Sequence, residues 1–369
     1  MGNTDPPIEV HRLAVRRKAW VTVAVVAALL AAVSLGWLWW QHYAVKRMIS
    51  AIRARGEPVT PAELEALYER PPKEEDCTAL YQYDNMERSR SLHAMSKTFP
   101  IVEFGGEPPQ LDETWDELPA IEAFFSEAAV EFAKWHEAAA RGGRVRFPIN
   151  PEEGMFELLP ETRDMPFVGQ CLALEAHVRA YRGDVSGAAE SLHAALVAAR
   201  ALENEPVPVA QFCRMAIYHV GINEINRLLP QIDFTVDELV RLQADLEATD
   251  FRAGLRRGLL GHCVIGIVSA QNPDKMLYHS GLHRKGELKE AIHYASKTQI
   301  LAAFLAEQER LLAAVDKPWP TILDEIPIPT QPPFANSGWM NVDVMFDFVG
   351  CLNGYLRDIG LITNAFQRN

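Results

Sequence analysis

The sequence predicts an all-α fold: an apolar helix near the N-terminus, then a larger domain built of helices alone. Three observations predict it. Residues 19–40, AWVTVAVVAALLAAVSLGWLWW, contain no charge. Beyond Thr60, apolar residues recur at steps of three and four, as one face of an α-helix requires. Alternating runs with the period of a strand are almost absent. With 369 residues, 48% of them hydrophobic, the chain has material for one large domain or two ordinary ones beside the apolar segment.

As a helix, residues 19–40 span about 33 Å, the thickness of a bilayer core. Trp20 stands near one end, and Trp37, Trp39, Trp40 and Tyr43 crowd the other, where amphipathic rings favour the headgroup level. The run is longer than the core of a cleaved signal peptide, no A-x-A pattern follows it, and tryptophans occupy the places where a signal peptidase needs small residues. The expectation is a retained anchor over 19–43. Arg12, Arg16, Arg17 and Lys18 on one side are matched by Lys46, Arg47, Arg53 and Arg55 on the other. The Arg16-Arg17-Lys18 triplet abuts the helix, so residues 1–18 are expected as a cytoplasmic tail and 76–369 as an extracytoplasmic domain. That describes a single-pass protein of the cytoplasmic membrane with its main domain periplasmic.

The intervening residues 44–75 read as a helical stalk. AVKRMISAIRARGEP continues the helix in amphipathic form until Gly56 and Pro58 stop it. Thr60, Pro61 and Glu63 form a capping box for a short helix to about Arg70, before Pro71 and Pro72. From Asp116 or Pro119 to Arg141, Ile121, Phe124, Phe125, Ala128, Phe132 and Trp135 predict one helix of about 23 residues, closed by Gly142 and Gly143. Pro148, Pro151, Pro160 and Pro166 then predict an extended loop. Helices follow over 168–181, 185–202 and 209–229, and a second capping box joins Thr235 to Glu238. Residues 251–270 read as a buried central helix, though glycine-rich for one. After a polar stretch at 271–286, helix is predicted over 287–315, a proline-rich extended segment over 316–335, and a last helix over 341–366.

Composition excludes several functions. Net charge is −13; residues 1–50 carry six basic against two acidic side chains, so the +4 there leaves −17 for the rest. That disfavours nucleic acid and anionic lipid as partners of the domain. Cys77, Cys171, Cys213, Cys263 and Cys351 contain no CxxC pair and read as core residues, with any pairing open. No phosphate-binding loop, G-x-S-x-G, H-E-x-x-H or paired-glycine fingerprint occurs. HEAAA at 136–140 begins like a metalloprotease helix but lacks its second histidine. The one set with ligand spacing is His279, His283 and Glu287, which a helix would place on one face for zinc; Gly281 and Gly286 weaken that helix. A metal-dependent hydrolase built on these residues is the rival reading. His177 and His193 are expected to cap or pair locally, and Arg163 and Asp164 to form an ion pair pinning the proline-rich loop.

Residues 180–200, AYRGDVSGAAESLHAALVAAR, carry a resemblance. Gly183, Asp184, Ala188, Leu192 and Ala195 resemble the turn and second helix of a tetratricopeptide unit, a repeat of about 34 residues. Leu172 and Ala176 fit the first helix, but Glu175 and Arg179 stand where the pattern wants apolar groups, and the closing proline, Pro206, comes late. A shift by one repeat length in either direction finds no second Gly-Asp-x-x-x-Ala. A helical hairpin around 168–202 is expected, with an unrelated helical bundle as the other architecture; Ala188, Ala195 and Ala199 allow close approach in either. More widely, RVRFP, LLPETRDMPF, YRGDVSGAAESLHAALVAARALENEPVPVAQFCRMA and LRRGLLGH resemble uncharacterised, singly anchored α-helical proteins of bacteria. That resemblance implies a bacterial, extracytoplasmic helical protein and supplies no activity, cofactor or catalytic residue. The functional expectation is a membrane-tethered, non-catalytic helical scaffold of the cell envelope that binds a protein or peptide.

Overall fold

The computed structural model describes residues 8–102, 106–150, 160–271 and 287–317. Every regular element among them is helical. The chain divides into two compact units, residues 1–56 with 284–306, and residues 57–283 with 307–369.

The first unit contains α1 (Ile8–Ala54), a single helix of 47 residues. Among the described residues it is the one helix long and apolar enough to cross a membrane. Trp20, Leu29, Leu30, Val33, Trp37, Trp39, Trp40 and Tyr43 are all exposed, the reverse of a soluble core helix. At about 70 Å, α1 is roughly twice the thickness of a bilayer core, so it outlasts its apolar run. In that extension Val45 and Ile52, seven residues apart on one face, are buried. Gly56, with φ +75°, ends the helix in a conformation that costs glycine least.

The second unit begins at once. The short helix α2 (Pro61–Leu67) has its capping box: the Glu63 amide donates to Thr60 Oγ1 at 3.3 Å, and the Thr60 amide donates to Glu63 Oε2 at 3.1 Å. It ends at Leu67 rather than Arg70. It is also no part of a stalk. Glu57, Val59, Leu64 and Tyr68 are buried, and Leu64 packs with Val264 and Val268. The domain therefore starts near Glu57, about twenty residues before Asp76.

A 3₁₀ turn (Thr78–Leu80) leads to α3 (Met86–Ser96), capped by Asn85, whose side chain accepts from the Arg88 amide at 2.9 Å. The long helix expected over 119–141 is two, α4 (Leu118–Glu127) and α5 (Ala129–Ala140), with the axis broken at Ala128 (φ −92°, ψ 13°). Helix α6 (Pro160–Tyr181) starts at Pro160 rather than Val168. Of the prolines taken as helix-breaking, Pro160 takes the first helical position, where no intrahelical amide bond is lost, and Pro166 stands inside the helix, which continues past it with one such bond missing. Then come α7 (Val185–Ala201), α8 (Pro208–Leu228), α9 (Val236–Glu247), α10 (Phe251–Gln271) and α11 (Glu287–Val315). The proline-rich segment from 318 onward, the expected helix at 341–366 and Cys351 lie outside the described residues.

The helices stand in two rows. In one, α6 packs on α8 and α8 on α10; in the other, α5 packs on α7 and α7 on α9, while α6 and α7 pair across the rows. The core between them includes Trp135, Phe147, Leu172, Leu192, Leu196 and Ile217. Ala188, Ala195 and Ala199 are fully buried where α7 meets its neighbours.

The glycines of α10 explain its composition. A Cβ on Gly261 would lie 1.5 Å from the Pro206 carbonyl oxygen, and one on Gly254 would lie 2.4 Å from both Arg214 Nη1 and Gln211 Oε1. Spaced at 254, 258 and 261, these glycines let α10 approach the start of α8 nearly backbone to backbone. Gly261→Ala is expected to destabilise the domain by about 3 kcal/mol, the upper end for overpacking because the obstacle is main chain. Gly106→Ala, where a Cβ would meet nothing within 4 Å, serves as the control in thermal or denaturant unfolding of the full chain.

Candidate functional site

Helix α6 is enclosed: between Val168 and Ala180 all residues are buried except the half-buried Gln170 and Arg179. Its polar groups must therefore be matched inside the protein. Glu175 is the first. Its Oε2 lies 2.7 Å from His136 Nε2 of α5 and accepts from Ser191 Oγ of α7 at 2.8 Å; Arg179 Nη2 donates to its Oε1 at 2.8 Å. Burial alone would raise the Glu175 carboxyl, but His136, Arg179 and Ser191 outweigh it and hold the group below the ordinary carboxylate value. The residue that departs from the tetratricopeptide pattern is thus the tie between three helices.

His177, two residues on, is fully buried. Its Nδ1 lies 2.7 Å from Glu224 Oε1 of α8, and its Nε2 lies 3.0 Å from the Pro109 carbonyl. A carbonyl only accepts, so Nε2 donates to it. Glu224, also buried, bonds Arg227 as well. Trp115 packs edge-on to the imidazole at 5.4 Å. The third pair joins two neighbours of one row: His193 of α7 bonds Asp245 of α9, whose other oxygen takes Arg200 Nη1 at 3.3 Å.

Three further buried groups lie outside these pairs. Glu205 accepts from the Tyr68 hydroxyl, and from the Phe147 amide at 3.0 Å; burial, then the Glu205 charge, push the Tyr68 hydroxyl far above its usual range. Arg214 has no exposed surface; its Nη1 donates to the Asp250 carbonyl at 3.1 Å, its guanidinium lies over the Phe251 ring at 5.1 Å, and burial lowers its pKa. His262 is deeply buried, with Nδ1 2.9 Å from Gln308 Nε2, and burial lowers it to about 4.

The order of groups decides what these clusters do chemically. In Ser191, Glu175 and His136 the carboxylate stands between hydroxyl and imidazole, so the imidazole cannot take the serine proton as a general base must. Ser89, Asp164 and His93 repeat that order, with Ser89 Oγ 2.8 Å from Asp164 and His93 Nε2 4.0 Å away on its other oxygen. These are cross-links between helices.

The residues singled out from sequence fall as follows. Gly183 has φ +80°, Asp184 caps α7 by accepting from the Gly187 amide at 3.0 Å, and Ala188 is fully buried. His279 and His283 lie outside the described residues, as does the side chain of Glu287, which opens α11. Among the described residues no group of three or more histidine, cysteine or carboxylate side chains could hold a metal ion. The side chain of Arg163 also lies outside the described residues, and Asp164 bonds Ser89. His177 and His193 do not pair locally; their partners stand 47 and 52 residues away. Cys77, Cys171, Cys213 and Cys263, the cysteines among the described residues, form no disulfide with one another. Sequence reasoning missed Glu205, Arg214, Glu224 and Asp245. Nothing local in the sequence marked them, because their partners lie far along the chain.

No family model, curated protein or solved structure matches the chain.

Two outcomes follow. Glu224→Ala leaves His177 and Arg227 without the buried carboxylate they share and is expected to cost about 3–5 kcal/mol in unfolding of the full chain, against less for His193→Ala at a partly exposed pair. His262 titrates near 4 when folded and near 6.5 when unfolded. Between those values the unfolded state binds the extra proton, so stability falls as pH drops from about 6.5 towards 4, by up to about 1.4 kcal/mol per pH unit. In unfolding curves between pH 7 and 4, His262→Gln should remove that part of the acid slope; an unchanged slope would refute the assignment.

Proposed function

We propose that this protein is a membrane-tethered helical interaction module of a bacterial cell envelope, with a tetratricopeptide-like stack of helical hairpins as its working part. The carrying observation is the two-row helix stack, in which the buried ionisable groups are spent on joining helices. A stack of that kind offers extended faces for other chains rather than a closed reaction centre. The long exposed apolar helix supports the tether, and the basic triplet beside it supports a cytoplasmic N-terminus with the domain on the outer side. The acidic domain favours protein or peptide partners over nucleic acid and anionic lipid.

The full chain, solubilised mildly from native membranes and identified with its companions by mass spectrometry, should bring down one reproducible protein in near-stoichiometric amount. That companion should vanish when residues 57–369 are removed. A protein that repeatedly purifies alone would contradict the reading.

A further inference from the structure

The row of helices α5, α7 and α9 ends on α9, and α9 ends it with an apolar ridge facing solvent. Its inner face is set by Leu242 and Asp245, both buried, and by Asp245 bonding His193 of α7. On the opposite face Val236 is 75% exposed, Val240 58% and Leu239 39%, at the i, i+3, i+4 spacing by which one helix seats another. The capping box holds this ridge in helical form at its start, with the Thr235 amide donating to Glu238 Oε2 at 2.8 Å. The face has the pattern of an interior surface, and among the described residues the row supplies no next helix to cover it.

Charge says what fits there. Asp233 precedes the ridge, Asp237 flanks it, and Glu247 lies at its far end, all exposed. Arg241 is the single base on the helix, and it projects well round from the Val236–Val240 line. A second copy of this ridge, packed antiparallel on the first, would bring like carboxylates together. An anionic lipid surface would be repelled in the same way. We propose that the outer face of α9 is the seat of a cationic amphipathic helix of a partner protein, which adds itself to the row after α9 with its apolar side on Val236, Leu239 and Val240 and its Lys or Arg side chains beside Asp233, Asp237 and Glu247. The proposal rests on the interaction reading above and names the surface and the partner's chemistry.

The test is site-specific photocrosslinking in the full chain in its native membranes, with benzoylphenylalanine at position 240 and, as control, at the exposed position 87 of α3. The expected result is one adduct from position 240 and none from 87, in which the joined peptide of the partner carries Lys or Arg flanking an apolar i, i+3, i+4 face. Val236→Asp with Val240→Asp should lower recovery of that partner at least tenfold, and Asp237→Lys several-fold, with thermal unfolding unchanged because these side chains face solvent. An adduct to residues 318–369 of the same chain, to a second copy, or to an acidic or uncharged peptide overturns the proposal. So does a partner that co-purifies undiminished with the double variant; that result leaves the interaction reading standing and moves its site elsewhere. Absence of both adduct and co-purifying partner overturns both.

Discussion

The enclosure of α6 is the constraint on which the rest of the domain depends. A helix buried on nearly every side has no water for its polar groups, so each must meet a partner fixed elsewhere. Glu175 and His177 bring a carboxylate and an imidazole into that interior, and their partners come from four different places: His136 on α5, Ser191 on α7, Glu224 on α8, and the Pro109 carbonyl in the connection before α4. Apolar packing of alanine-rich helices tolerates sliding by a turn, because one alanine presents much the same surface as the next. Pairs at 2.7 Å do not. A slip of one turn would strand a buried charge at a cost of several kcal/mol, so the pairs select one register among packings that the core alone would hold nearly equal.

What could be read from the residues, and what could not, follows from how far each determining interaction reaches along the chain. The two capping boxes and the turn at Gly183 are settled within four residues, and their sequence signals correspond to the hydrogen bonds that form. Helical periodicity placed α7 to α11 for the same reason. The break at Ala128 was hidden because Ile121, Phe124, Phe132 and Trp135 keep helical spacing through it; a change of axis leaves that spacing intact. The start of α6 was hidden by its prolines: Pro160 sits at the first helical position, which favours proline, and Pro166 is tolerated inside a helix whose burial outweighs the lost amide bond. The His–carboxylate pairs were illegible in principle. Their members stand 39 to 52 residues apart, and nothing local distinguishes Glu224 from a solvated helix charge.

The glycines of α10, expected as a buried helix and found as one, show a local cost outweighed by a long-range gain. Each glycine weakens an isolated helix by up to about 1 kcal/mol, and three at 254, 258 and 261 argue against a helix at all. Yet only glycine lets the helix lie against the Pro206 carbonyl and the side chains of Gln211 and Arg214. Close approach brings dispersion contacts along the whole crossing, and these offset the propensity lost.

That crossing also governs the two ends of the described domain. Arg256 projects from α10 and donates to Glu57 Oε1 at 2.9 Å and to Asp316 Oδ2 at 3.0 Å, so one guanidinium holds the residue where the domain's chain begins and one just after α11 ends. A half-exposed ion pair alone contributes little. Its neighbours supply the rest: Leu64 against Val264 and Val268, the Tyr68 hydroxyl on Glu205, and Leu311, Leu312 and Val315 with Leu255 and Leu259. Residues 57–68 are therefore clamped into the helix rows rather than left as a compliant tether. Because the same α10 that seats closely on the start of α8 also grips both chain ends, a disturbance of that seat would be felt at the ends and in its row together.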